Sequence, residues 1–213
     1  MTAEESTFAA LGMLGDPLRR RLYECVAADP GEVGRDAAAE ATGISRSLAA
    51  FHLDKLVEAG LLTTSFRRLS GRTGPGAGRP AKMYRRADGE HSVSVPPRSY
   101  DAVGRLLAQV VENGGLDREL QAAAHAAGAA DPDASAEDLI AVLRARGYEP
   151  FFDGKTLRLN NCPYRGLADE FPALICGMNL ALIEGLANSE WSPAMDPCPG
   201  GCCVALDSKN KNH

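Results

Sequence analysis

The chain has 213 residues, 45% of them apolar, enough to bury a core in one larger or two small domains. No run approaches the roughly 18 apolar residues of a membrane span. The start, Met1-Thr2-Ala3-Glu4-Glu5, carries acids rather than the basic region of a secretory signal, so a cytoplasmic protein is expected. The net charge of −5 speaks against nucleic acid, but the distribution reverses this. Residues 17–86 hold 13 Lys and Arg against 7 Asp and Glu, a local balance of +6, and residues 65–86 hold 7 basic residues and no acid. A basic segment joined to an acidic remainder points to a DNA-binding domain with a separate control domain.

Residues 4–14 are a short amphipathic stretch, with Phe8, Leu11 and Leu14 at helical spacing. Asp16-Pro17 reads as N-cap and first residue of a new helix. Its apolar face is Leu18, Leu22, Cys25 and Val26, on which Cys25 is a small core residue. Asp29-Pro30-Gly31 ends it. Residues 33–42 form an alanine-rich helix broken by Gly43, and Ser45 caps a third helix running to about residue 59. Short helix, glycine turn and longer helix make a helix-turn-helix. Leu48, Phe51, Leu53, Leu56 and Val57 are expected to form the apolar stripe of the longer helix. Ser45, Arg46, Ser47, Ala50 and His52 cluster in its first two turns, the part that enters a major groove.

A strand at residues 62–68, a loop rich in Gly, Pro and Arg at 71–80, and a returning strand at 82–86 make a β-hairpin wing with cations and no acid. Arg67, Arg68 and Lys82 on its strands, and Arg72 and Arg79 at its tip, can lie along phosphates or reach a minor groove. The glycines do not form the GxxxxGK[ST] nucleotide loop. Three pieces now stand in order: Thr42-Gly43-Ile44-Ser45-Arg46-Ser47, then His52-Leu53-Asp54-Lys55-Leu56-Val57-Glu58-Ala59-Gly60-Leu61-Leu62, then Gly78-Arg79-Pro80-Ala81-Lys82-Met83-Tyr84. On these residues the segment 14–88 resembles the winged-helix regulators of the ArsR-like superfamily. That implies a DNA-binding domain over residues 1–88 and a double-stranded operator as partner.

Residues 89–99, with Pro96-Pro97, are a linker. Residues 100–112 are helical, with Val103, Leu106, Leu107, Val110 and Val111 on or near one face. Residues 116–130 form a helix so rich in alanine that it can approach a partner closely. Homodimerisation through these two helices is expected, because such regulators read two half-sites. His125 there is a surface or packing residue. Ser135 caps a helix over residues 136–146, closed by Gly147. Residues 148–152 and 156–160 flank Asp153-Gly154 as a hairpin. Residues 164–171 and 172–188 are helical, and a short strand follows Cys203. Residues 208–213 read as a disordered tail.

Five of the six cysteines fall late in the chain: Cys162, Cys176, Cys198, Cys202 and Cys203. In a reducing cytoplasm such a set holds ligands or redox groups rather than disulfides. The intervals lack the paired CxxC knuckles of structural zinc, whereas iron–sulfur clusters accept thiolates from well-separated elements. Pro163 after Cys162, and Pro199-Gly200-Gly201 before Cys202, are shapes that leave backbone N–H groups free to face sulfur. A cluster, a zinc ion and a thiol–disulfide switch are the three chemistries this set can serve.

On Leu157-Arg158-Leu159-Asn160-Asn161-Cys162-Pro163-Tyr164, on Leu174-Ile175-Cys176-Gly177-Met178-Asn179-Leu180-Ala181-Leu182-Ile183-Glu184-Gly185-Leu186, and on Pro199-Gly200-Gly201-Cys202-Cys203, the C-terminal half resembles SufR-type repressors, which sense iron–sulfur status. The resemblance implies a [4Fe–4S] cluster held by Cys162, Cys176 and a terminal-loop cysteine, Cys202 first and Cys203 next. Cys198, a carboxylate or a small molecule is left as fourth ligand. The chain departs from the pattern in its excess of cysteines. Adjacent Cys202 and Cys203 in a strand would point to opposite faces, so one of them is expected not to be a ligand. With four histidines, no base beside a cysteine and no nucleotide motif, an enzyme is not expected. The expected fold is α+β and mostly helical. It pairs an N-terminal winged helix-turn-helix with a helical sensor and dimerisation domain, residues 100–207, that carries a small antiparallel sheet.

Overall fold

A computed structural model describes residues 3–68, 80–134, 138–198 and 200–209. The chain divides into two compact units, Met1–Arg98 and Ser99–His213. The fold is α+β, as expected.

The first unit begins with α1 (Ala3–Met13) and α2 (Pro17–Ala27). Asp16 caps α2, its carboxylate accepting from the backbone N–H of Leu18 at 2.9 Å and of Arg19 at 3.1 Å. Residues expected to open the next helix instead form a short strand, β1 (Val33–Gly34), and α3 (Arg35–Thr42) starts after it. Buried, β-branched Val33 pairs with Tyr84, and Gly34 with Met83. The turn holds as read. Gly43 takes a left-handed φ of 68°, and Ser45 caps α4 (Arg46–Glu58) through the Leu48 N–H. The wing strands β2 (Leu62–Arg67) and β3 (Ala81–Arg86) run antiparallel, giving the sheet order β1-β3-β2.

One expectation fails inside α4. Leu53 and Leu56 are fully buried, but Leu48 is 40% and Phe51 58% exposed, and the third core position is Ala49. At about 100° per residue, Ala49, Leu53 and Leu56 share one seam, while Phe51 lies nearly opposite. The seam packs with Leu22, Val26 and Ala38, so the bulkier residues 48 and 51 are left outside it.

The second unit holds α5 (Tyr100–Asn113), α6 (Asp117–Ala129), α7 (Leu139–Ala145), β4 (Pro150–Asp153), β5 (Thr156–Leu159), α8 (Arg165–Ala168), α9 (Pro172–Leu186), β6 (Trp191–Met195) and β7 (Val204–Ser208). The sheet order is β4-β5-β7-β6, all antiparallel. β6 was not expected. Pro193 hides it as a strand, and it sits at the sheet edge, where a residue without an N–H is tolerated. The α7 cap is Asp138, accepting from Ala141 N at 2.9 Å; the expected cap, Ser135, lies outside the described residues. The tail read as disordered from residue 208 begins with ordered residues, since Ser208 closes β7 and Lys209 N donates to Glu190 O at 2.7 Å. Residues 210–213 lie outside the described residues.

α6 does make a close approach, but to α9 of its own chain. A Cβ on Gly128 would overlap the Leu182 carbonyl oxygen, and one on Gly185 would overlap the His125 carbonyl oxygen. The face of α5 expected to be apolar is exposed, with Val103, Leu106, Leu107 and Val110 all more than half accessible and only Ala108 buried. The main core gathers α7, α9 and the sheet around Leu143, Leu157, Leu159, Ile183, Leu186 and Leu206, with Cys162 and Cys202 among them.

Candidate functional site

In the first unit, α4 presents Ser45, Arg46, Ser47, Leu48 and Phe51 to solvent, while Ala50 and His52 are half-buried. His52 Nδ1 is enclosed without a hydrogen-bond partner, and its ring meets Phe51 edge-on at 5.2 Å. Arg46 does not stand free: its Nε lies 2.6 Å from Asp36. Arg67 and Arg68 are exposed at the end of β2. Arg72 and Arg79, at the expected wing tip, lie outside the described residues. A cavity of about 390 Å³ between α3, α4 and the wing is lined by Gly34, Arg35, Asp36, Arg46, Phe66, Pro80, Ala81 and Lys82.

A polar bridge locks wing to helix. Lys82 Nζ donates to Asp54 Oδ1 at 2.7 Å, the Tyr84 hydroxyl donates to the same oxygen at 2.6 Å, and Arg35 Nε donates to that hydroxyl at 3.1 Å. Sequence reasoning missed Arg35, Asp54 and Tyr84 as a set because they come from three elements. Burial raises the Asp54 carboxyl, but hydrogen bonds from Lys82 and Tyr84 outweigh it and hold the group below its usual range. Burial first, then the bond to Asp54, pushes the Tyr84 phenol up to about 12. The unfolded chain therefore loses this proton first, near the ordinary value of 10.0. Stability is full below that pH and falls as pH rises from there toward about 12. Tyr84→Phe is expected to flatten this alkaline slope in urea unfolding followed by circular dichroism; an unchanged slope would remove the bridge from the account.

The cysteines of the second unit come from three places. Cys162 follows β5, Cys176 stands in α9, and Cys198, Cys202 and Cys203 precede β7. The chain around them is tied down by backbone bonds: Asn161 N to Tyr148 O at 3.0 Å, Cys202 N to Leu159 O at 2.8 Å, and Asp196 N to Cys203 O at 2.9 Å. Arg165 clamps the loop, donating to Gly200 O at 2.9 Å and Gly201 O at 2.6 Å. A Cβ at Gly201 would meet Cys198 Sγ at 2.5 Å and Leu159 O at 3.0 Å, so glycine is required there. Pro199 lies outside the described residues.

Cys162, Cys176, Cys198 and Cys203 line one cavity of about 180 Å³, with Arg165 and Asp169 beside them. Cys202, expected ahead of Cys203, is not on this wall. It is 1% exposed and turned into the core, its Sγ accepting from Asn179 Nδ2 at 3.2 Å. Asn179, fully buried, accepts in turn from the Tyr148 hydroxyl at 2.5 Å. The Cys162 thiol donates to Cys202 Sγ, and that bond, then burial, holds the Cys162 thiol well above its usual range. Cys25 is half-buried on α2 of the other unit, and His125 is exposed. Among the described residues no three His, Cys, Asp or Glu side chains form a metal-ion site as they stand; the four thiols are walls of an open cavity. In donor type they fit an iron–sulfur cluster, which takes thiolates, and in direction they open onto one space.

Residues 14–65 match a known family, described as a helix-turn-helix domain. The match spans α2 to β2, the elements that carry the scaffold helix, the glycine turn and the recognition helix. It supports a DNA-binding transcriptional regulator. No curated protein and no solved structure matches the chain. No helix among the described residues is long and apolar enough to cross a membrane.

Proposed function

We propose that this chain is a homodimeric, cytoplasmic winged-helix repressor whose operator affinity is set by an iron–sulfur cluster at the cysteine cavity. The observation that carries the reading is the convergence of Cys162, Cys176, Cys198 and Cys203 on one cavity. Cys162, Cys176 and Cys203 are the proposed ligands, with Cys198 or Asp169 as the fourth. A bound cluster supplies a centre sensitive to oxidants and to iron supply. The chain's own part is structural: Arg165 and the Leu159–Cys202 backbone bond hold Gly200, Gly201 and Cys202 against the β5 end, so the state of the cavity is coupled to the sheet. The likeness to SufR-type repressors supports repression, a [4Fe–4S] cluster and control of cluster-assembly genes. A ligand at the cavity shifts operator occupancy only by binding the DNA-competent and incompetent states differently.

Anaerobically purified protein is expected to be brown, with iron and acid-labile sulfide in matching amounts. Ser substitution at 162, 176 or 203 should bleach it, and Cys202→Ser should not. A colourless protein without sulfide after reconstitution would sink the cluster. A second reading keeps the DNA reader and makes thiol oxidation the input, supported by the hydrogen-bonded Cys162–Cys202 pair. Hydrogen peroxide would take two electrons and two protons from the pair, leaving one S–S bond and two waters. Colourless protein that yields a Cys162–Cys202 cross-linked peptide after peroxide would favour it.

A further inference from the structure

The two large side chains that α4 leaves outside its seam take no part in the core cluster. Phe51 is 58% and Leu48 40% exposed, in the first two turns of the recognition helix. Phe51 and Ser47, one helical turn apart, lie opposite the buried seam of Ala49, Leu53 and Leu56. A lone exposed apolar side chain needs no explanation, but these two are neighbours at i and i+3 and form one apolar patch on the helix face.

What surrounds them indicates the occupant. Residues 45–52 contain no acid. Arg46 precedes them in α4, Arg35 and Lys82 line the neighbouring cavity, and Arg67 and Arg68 are exposed at the end of β2. Arg67 and Arg68 are exposed cations suited to phosphates, while Arg46, Lys82 and Arg35 are held in the unbound chain by Asp36, Asp54 and Tyr84 and join the positive frame only where a phosphate displaces those partners. A protein surface would match this frame only if it were both acidic at its rim and apolar at its centre. A duplex matches it in every copy: phosphates at the rim, and in the major groove one apolar group, the C5-methyl of thymine.

We infer that Phe51 and Leu48 read thymine methyl groups in the major groove, so that part of this protein's operator preference is for T·A over C·G steps sensed through apolar contact rather than hydrogen bonds. The inference rests on the DNA-binding reading and adds to it the chemical group recognised. It does not depend on the cysteine cavity. Phe51 is the specificity-determining residue, with Leu48 on its flank. Ser47 supplies a hydroxyl beside it that can bond to a base edge, and Arg46, once released from Asp36, can hold the backbone in register.

The test uses the full chain, purified anaerobically and after air exposure in parallel. Duplexes selected from a random pool define the sites it prefers. Each thymine in a selected site is then replaced singly by deoxyuridine, which removes one methyl and leaves every hydrogen-bonding edge unchanged. Binding is read by fluorescence anisotropy at fixed salt. The expected result is a loss of about fourfold at one or two positions per half-site, the size of one buried methyl, with all other positions unaffected. Phe51→Ala should make thymine and uracil equivalent at one of those positions, Leu48→Ala at a neighbouring one, and Phe51→Leu should keep part of the discrimination. Phe51 is more than half exposed, so these variants are expected to fold, and circular dichroism checks it. Tight binding with no position sensitive to uracil would overturn the inference and leave DNA binding standing. Discrimination that survives in both alanine variants would also overturn it. A change in sedimentation in Phe51→Ala with unchanged discrimination would assign the face to a protein contact instead. Binding to no duplex overturns the DNA reading, and this inference with it.

Discussion

Gly185→Ala is expected to destabilise the C-terminal unit by about 2 kcal/mol. The added methyl meets the His125 carbonyl oxygen and, at 2.8 Å, the Ala129 amide nitrogen. Both are backbone atoms of a facing helix, so neither can move without shifting α6 as a whole. Overpacking of this kind costs about 3 kcal/mol at the upper end of its usual range, and the better helix propensity of alanine returns about 1 kcal/mol. Gly128→Ala should behave alike, since its methyl would meet Leu182 O and the Gly185 Cα. Gly104→Ala is the control in the same unit. There the nearest atom is Leu167 Cδ1 at 3.6 Å, an ordinary contact, and a gain of up to about 1 kcal/mol is expected. The single tryptophan, Trp191, lies in β6 and reports this unit alone in urea unfolding. A Gly185→Ala midpoint equal to that of the parent would contradict the close crossing of α6 and α9.

If the proposed dimer pairs through α5, Val103→Glu combined with Leu107→Glu is expected to give a monomer and weaken operator binding about 100-fold or more, the avidity lost when one of two linked modules is removed. Tyr100, Val103, Leu107 and Val110 are spaced 3, 4 and 3, which is the seam of a paired helix, and Leu106 flanks it. All five are more than half exposed. The adjoining face of α5 is already used, with Ala108 and Val111 packed beside Leu174 and Ile175. Since the substituted residues touch little within the chain, circular dichroism should be unchanged while sedimentation shows the monomer. A double variant that stays dimeric would move the proposed dimer contact elsewhere.

Much of the first unit was legible because its signals are local. Asp16-Pro17, Gly43 and Ser45 announce helix boundaries by chemistry that acts within three or four residues, and each stands where it was read. What misled was counting apolar residues without asking which seam they share. Leu48 and Phe51 look like core by type, but the seam on α4 is complete with Ala49, Leu53 and Leu56. The same holds for α5, whose apolar face was read correctly as a face but is left uncovered by this chain. The alanine richness of α6 signalled a close approach, yet composition carries no information on which helix approaches. β6 escaped because Pro193 argues against a strand, and only the pairing with β7 makes it one. For the cysteines, sequence separated Cys202 from Cys203 by alternation alone, and only the structure shows Cys202 turned into the core and Cys203 on the cavity wall. Of the buried partners that draw Cys202 inward, Asn179 lies 23 residues from it in sequence, and Tyr148 a further 31 from Asn179.

The Leu159–Cys202 bond joins the end of one strand to the approach of another, and the thiols it aligns lie on stretches separated by more than 30 residues of chain. No short piece of this polypeptide contains the cavity. Cys162 and Cys176 are synthesised first and have two further walls missing until β7 has zipped onto β5. A chain caught before that step, or pulled open at it by heat or a chaperone, presents the same four thiols with none of the arrangement. Possession of the cavity is therefore a property of the finished tertiary structure, and the proposed cluster would be loaded only onto chains that have already passed a folding inspection.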